Sequence, residues 1–279
     1  MSKPILLPKT DVVFKLLFGN ERKITILRDF LQAVLNFDDS ELAAIKIIDP
    51  QLKREHPEDK LGILDVKLET VSGARIDIEI QVLNIPEMRQ RVSYYLANLI
   101  TEQMGGGIPY DALKRAICIV IVDFPLLKES EQYHTVFRML EQQEHFPFND
   151  LMEIDVLDLT RIPAAESDRL TNWMRFIRAE RKEDFEMAAN TSPLIREAYA
   201  YLAELSEDEE NRLLAEARLK AQRDEYSRVT GARKEGLEQG LEQGTARLVR
   251  NMSRRGLDAA AIADFTDLTL AQVEGYLTT

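Results

Sequence analysis

Between residues 61 and 83 the apolar side chains fall on every second position. Leu64, Val66 and Leu68 take one side of the first run, with Asp65, Lys67 and Glu69 on the other. In the second run Ile76, Ile78, Ile80 and Val82 alternate with Asp77, Glu79 and Gln81. A period of two marks strands that bury one face. Val71, Ser72 and Gly73 lie between the runs, and a three-residue turn with glycine in the left-handed position joins them into a hairpin. That turn length sets Asp65 directly across from Glu79, whereas a two-residue turn would put them on opposite faces. The hairpin then has one apolar face and one that carries Asp65, Lys67, Glu79 and Gln81.

Elsewhere the period changes. Val13, Phe14, Leu17 and Phe18 form one face of a helix that Gly19 and Asn20 stop, and Ile24, Leu27, Phe30, Leu31 and Val34 form a second. Residues 46–49 make a short strand, and residues 50–60, with His56, a charged loop. Pro86 suits the first turn of a helix reaching about Met104, whose core stripe is Met88, Val92, Tyr95, Leu96, Leu99 and Ile100. Gly105, Gly106 and Gly107 end it as a flexible break, without the strand-to-helix setting of a nucleotide-binding loop. Residues 116–124 are almost continuously apolar, as in a strand buried on both faces. Residues 133–140 and 151–159 add strands whose place in the sheet the sequence does not encode.

Beyond residue 160 the chain turns helical. Ser167 caps a helix with Leu170, Trp173, Met174 and Ile177, and Trp173 belongs to the core. Ser192 and Pro193 open another helix, through Leu205. Ser206 to Glu209 reads as a capping box that opens a charged helix to about Gly231. Gly236, Gly240 and Gly244 then recur every fourth residue beside Leu237 and Leu241, either as a flat stripe for self-association or as a weak helical linker. After Gly256, short helices from Asp258 and Thr269 resemble a small helix-turn-helix. The second of them carries no lysine or arginine, which speaks against base reading. Arg247, Arg250, Arg254 and Arg255, on the preceding helix, are placed to touch phosphates instead.

Composition narrows the class. The 279 residues are 45% hydrophobic and 30% charged, which fits a packed core and excludes wholesale disorder. One cysteine, Cys118, excludes an internal disulfide and fits a reducing cytoplasm; among apolar neighbours it reads as a small buried hydrophobe. Nothing after Met1 resembles a signal peptide, and the longest apolar run, residues 116–122, is too short to cross a bilayer. The net charge of −12 argues against broad coating of nucleic acid but leaves room for a local basic groove. His134 and His145 are not spaced as a metal pair and, with His56, read as surface or packing residues, and no Ser-His-Asp or Cys-His arrangement supports covalent catalysis.

The plain alternative for the polar face is an edge hairpin whose outer side is simply solvated. Carboxylates that converge mid-strand on one covered face, however, repel each other unless positive charge lies between them. A hard divalent cation held by oxygens is the usual answer. Asp65 followed by Glu79-Ile80-Gln81 resembles the PD-(D/E)XK nuclease signature, with Gln81 where lysine is commoner. More narrowly, the chain resembles the bacterial recombination-promoting nuclease (Rpn) family, also called PD-(D/E)XK nuclease family transposases. The matching pieces are residues 11–19, Leu64-Asp65-Val66, Ile78-Glu79-Ile80-Gln81, Arg91 with Tyr95, Gly107 with Tyr110, and residues 119–124.

The resemblance implies an α/β fold: a restriction-endonuclease-like PD-(D/E)XK core, with a mixed sheet flanked by helices, plus an α-helical C-terminal extension. The expected division is a nuclease core at 1–165, a helical extension at 166–235, and the glycine repeat with the small helical tail at 236–279. It also implies a metal-dependent DNA endonuclease that promotes recombination. Asp65, Glu79 and the backbone carbonyl of Ile80 would hold Mg²⁺, with Mn²⁺ as a substitute, and Gln81 would orient water or a phosphate oxygen. Lys67, on the face of Asp65, can supply the cation that Gln81 lacks. Asp11, Lys15, Arg89 and Arg91 are candidate DNA contacts. Each has a plainer alternative: a helix cap for Asp11, a solvated charge for Lys15, surface carboxylate partners for the arginines. The C-terminal helices are the candidate device for homo-oligomers. A catalytically silent DNA- or protein-binding module is the alternative function, and an enzyme acting on RNA or a nucleotide is a third reading.

Overall fold

The computed structural model describes residues 3–48, 65–85, 87–104 and 109–278. Ile63 and Leu64 of the expected first strand, the 50–60 loop with His56, Pro86 and the Gly105–Gly107 break lie outside the described residues. Among the described residues six strands form one mixed sheet in the order β1-β2-β3-β4-β6-β5. They are β1 (Lys46–Ile47), β2 (Val66–Glu69), β3 (Arg75–Gln81), β4 (Ala116–Val122), β5 (His134–Arg138) and β6 (Met152–Asp158). β2 and β3 are the predicted hairpin. Thr70 N–H donates to the Ala74 carbonyl at 3.0 Å, and Gly73 adopts φ +87°. A side chain at Gly73 would be strained by that φ and would also meet the Lys114 side chain at 3.2 Å.

β4 runs parallel to both of its neighbours, β3 and β6. All seven of its residues are buried, which explains the unbroken apolar run. Its two faces support separate cores. Ile117, Ile119 and Ile121 join Ile76, Ile78 and Ile80 against α1 (Asp11–Phe18), α2 (Ile24–Leu35), α4 (Arg169–Arg178), α5 (Lys182–Ala189) and α6 (Pro193–Glu207). Ala116, Cys118, Val120 and Val122 face α3 (Met88–Thr101), which presents Met88, Val92, Leu96 and Leu99. Asp77, Glu79 and Gln81 stand in register with Cys118, Val120 and Val122, so they share the α3 face. A parallel crossover needs a helix on one face of the sheet, and α3 is that helix between β3 and β4.

Aromatic rings fill the larger core. Trp173 is fully buried, with Phe18, Phe30 and Phe176 around it at ring separations of 5.7, 6.1 and 5.8 Å. Its indole N–H donates to Asp29 at 2.6 Å, and Arg169 also donates to that buried carboxylate. This packing holds α4–α6 on the sheet. The chain divides into two compact units, Met1–Gln222 and Arg223–Thr279, so the expected boundary after residue 165 falls inside the first.

Three helix limits differ from expectation. Asp168, not Ser167, caps α4: it accepts from Thr171 N–H at 2.7 Å, while Thr171 Oγ1 accepts from Asp168 N–H at 3.0 Å. Ser206 lies inside α6, where its hydroxyl donates to Leu202 and accepts from Leu6 N–H. Asp208 caps the next helix instead. That helix, α7 (Glu209–Arg254), does not stop at Gly231 but continues through the glycine repeat.

In the second unit, Val249 of α7 packs with Ile262 of α8 (Ala259–Thr266) and Val273 of α9 (Leu270–Thr278). Gly256, at φ +92°, makes the expected break. No helix among the described residues is long and apolar enough to cross a membrane.

Candidate metal centre

Alternation along β3 aims Asp77 and Glu79 out of the larger core toward α3. The ladder pairs Val66 with Ile78 and Lys67 with Asp77, so Asp65, one residue before β2, comes to Glu79 as the turn length requires. Asp65, Asp77 and Glu79 are all buried, at 8%, 1% and 2% exposure, and each offers an oxygen within 4.8 Å of the others. Asp77 is the member that spacing alone did not single out. Its parity with Glu79 was visible, but its burial depends on β2 and β4 lying on both sides of β3.

Few protein groups balance these charges. Lys67 Nζ lies 3.3 Å from Asp65 Oδ2. Gln81 Nε2 donates to Glu79 Oε2 at a long 3.4 Å. Asp77 Oδ1 and Glu79 Oε1 are buried with no hydrogen-bond partner among the described residues. Desolvation, then the Asp65 charge, pushes the Glu79 carboxyl up to about 8, and the same two causes raise Asp77 well above its ordinary value. Without a counter-ion the cluster resists full ionisation. Two orphaned oxygens in an all-carboxylate donor set fit a hard divalent cation. Ile80 turns its side chain into the core and leaves only its backbone to serve such an ion.

α3 borders the cluster with Arg91 and Tyr95, one turn apart. Arg91 donates to the Tyr95 hydroxyl through Nε at 3.1 Å and Nη2 at 2.7 Å. Its positive charge works to lower the Glu79 pKa, and the Glu79 charge in turn helps burial raise that of the Tyr95 phenol. Arg91 is therefore a cation beside the carboxylates that is fixed by a neutral group. Arg89 instead faces solvent and pairs with Glu129 at 2.6 Å, the surface-carboxylate alternative.

The other two candidates stand apart. α1 packs on the opposite face of the sheet, and Asp11 and Lys15 go with it. Asp11 Oδ1 accepts from Val12 N–H at 2.8 Å, while its Oδ2 accepts from Arg218 Nε at 2.6 Å. It thus ties α1 to the start of α7. Thr10 is the residue at the helix N-cap, and its side chain makes no capping bond. Lys15 is 4% exposed and borders a cavity of about 290 Å³ with Asn20, Arg22 and Tyr201. Of the remaining histidines, His134 pairs with the buried Asp155 at 2.7 Å.

No curated protein and no solved structure matches the chain. The family model for PD-(D/E)XK nuclease family transposases matches residues 8–232, a span that holds the sheet, the acidic cluster and α3. That match covers most of the sequence and agrees with the hairpin signature and the mixed sheet, and the chain therefore belongs to the PD-(D/E)XK nuclease family transposases.

Proposed function

We propose that this protein is a divalent-metal-dependent DNA endonuclease that hydrolyses phosphodiester bonds. The observation that carries the reading is the buried Asp65–Asp77–Glu79 cluster with its two orphaned oxygens. Asp65, Glu79 and the Ile80 carbonyl would hold Mg²⁺ or Mn²⁺, with Asp77 as a further oxygen donor. When bound, such an ion supplies positive charge to a phosphate oxygen and makes a water more acidic.

The side chains do the rest. Gln81 sits at the end of β3 and is suited to orient a water or phosphate oxygen by hydrogen bonding. It is uncharged, so it stabilises developing negative charge less than a lysine would. Lys67 is held at Asp65, where it offsets carboxylate repulsion and remains within reach of a phosphate brought there. Arg91 adds a second cation, held at the Tyr95 hydroxyl through Nε and Nη2. A guanidinium is well shaped to hold a phosphate through paired donors.

The silent-module alternative would expect the carboxylate pair to be lost, yet Asp65 and Glu79 are both present and buried together. Incubating the purified chain with supercoiled plasmid, in Mg²⁺, in Mn²⁺ and in chelator, tests the reading. Nicking or linearisation is expected with metal, and none with chelator. Asp65→Ala and Glu79→Ala should each abolish cleavage while the protein stays folded. Cleavage by either variant at the wild-type rate would overturn the assignment.

A further inference from the structure

We propose that the last three turns of α7 form a second anion site, a track for the phosphate backbone of a nucleic acid, independent of the metal centre. Between Glu242 and Asp258 the chain holds four arginines and no carboxylate. Elsewhere acids are frequent, 48 in 279 residues, so a run of fifteen without one is a local reversal of charge. Arg247, Arg250 and Arg254 follow Gln243 at spacings of four, three and four, which puts all four side chains on one face of the helix. They line a cavity of about 440 Å³ with Ala246 and Asn251.

The helix is held in one rotation about its axis. Val249 is fully buried against Ile262 and Val273, and Arg250 Nε donates to the Tyr276 carbonyl at 3.0 Å. Arg247 and Arg254 have no hydrogen-bond or ion-pair partner among the described residues. Favourable interaction with the helix C-terminus accounts for Arg254, in the last turn, but that effect fades within one turn and does not reach Arg247.

The ligand class follows from shape and chemistry. From Gln243 to Arg254 the stripe runs about 16 Å at 1.5 Å per residue, longer than one phosphate group and suited to a chain of them. Its lining is arginine, glutamine and asparagine, with Ala246 as the one apolar member, so it offers donors rather than a wedge for a lipid surface.

The test is equilibrium binding of a fluorescent 30-base-pair duplex, followed by anisotropy over a series of salt concentrations. Full-length protein carrying Glu79→Ala is used in chelator, so cleavage plays no part. Adding Arg247→Gln and Arg254→Gln should weaken binding on the order of 10- to 100-fold at low salt and flatten the log–log salt slope by about 1.8. Arg247→Lys with Arg254→Lys should keep the slope, because the charges remain. As a control, Arg228→Gln with Lys234→Gln removes two cations that pair with Glu225 and Glu238 on the same helix, and should leave the slope unchanged. An unaltered slope in the Arg247/Arg254 glutamine variant, an equal loss in the control, or no duplex binding by the starting protein overturns the proposal. Failure of the plasmid assay with metal would count against the nuclease reading alone.

Discussion

Replacing Glu79 with glutamine should stabilise the metal-free protein at alkaline pH, although it removes a proposed ligand. Glu79 is 2% exposed, and burial with the neighbouring Asp65 charge pushes its carboxyl from the ordinary 4.5 up to about 8. The folded state therefore binds a proton that the unfolded state has already lost between those values. Stability from this group is complete below about pH 4.5 and falls as pH rises through 8. At about 1.4 kcal/mol per tenfold change in proton affinity, the gap is worth at most about 5 kcal/mol. For a domain of this size that corresponds to about 10–20 °C in melting temperature. Glutamine keeps the shape and cannot ionise. Thermal melts in chelator at pH 5 and pH 8 should show the two proteins nearly coincident at pH 5 and the variant clearly higher at pH 8. Adding Mg²⁺ at pH 8 should raise the wild type and leave the variant almost unmoved. Parallel pH profiles for the two proteins would refute the reasoning.

Other consequences are equally direct. Tyr95→Phe should slow plasmid cleavage about 10-fold, and adding it to Arg91→Ala should cost little more, because the hydroxyl acts by holding the guanidinium; additive losses in a double-mutant cycle would refute this. Lys67→Ala should lower the cleavage rate on the order of 10²-fold, and Gln81→Lys in the same protein should restore much of it if both cations serve one phosphate. Asp29→Ala should destabilise the first unit by about 3 kcal/mol in urea unfolding, since it strands the buried indole N–H of Trp173 and the Arg169 guanidinium together. Alanine at Gly236, Gly240 and Gly244 should raise helix stability by up to about 1 kcal/mol per site, because a Cβ there meets no atom of the chain. Light scattering on the triple leucine variant tests self-association through the same stripe: an unchanged mass would mark it as a plain stretch of helix.

Local pattern carried the features that depend on near neighbours in the chain. A period of two and a glycine at the one position with φ +87° were enough for the hairpin, and its turn length placed Asp65 against Glu79. The buried β4 and the apolar stripe of α3 were legible for the same reason. Features set by distant partners were not. Asp77 reads like any polar-face residue until β2 and β4 enclose it. Asp11 looks like a helix cap, yet its salt bridge is to Arg218, 207 residues away. Ser206 has the sequence of a capping residue, but the N–H of Leu6, from the other end of the first unit, claims its hydroxyl. The charged helix is expected to end near Gly231, whereas α7 continues through the glycine repeat, with Lys234 and Glu238 paired at 3.9 Å one turn apart.

The hairpin and the crossover helix have a joint consequence for how the centre assembles. The carboxylates, Lys67, Gln81, Arg91 and Tyr95 all lie between residues 65 and 95, on β2, β3 and α3 and at their margins. A site gathered from one short stretch needs little loop closure, and such local arrangements form early relative to those joined from distant segments. The acids oppose that early assembly at alkaline pH, because they must desolvate together as α3 packs over their face of the sheet. A divalent ion present during refolding would relieve that opposition, so the ion proposed for the finished protein would also quicken its formation.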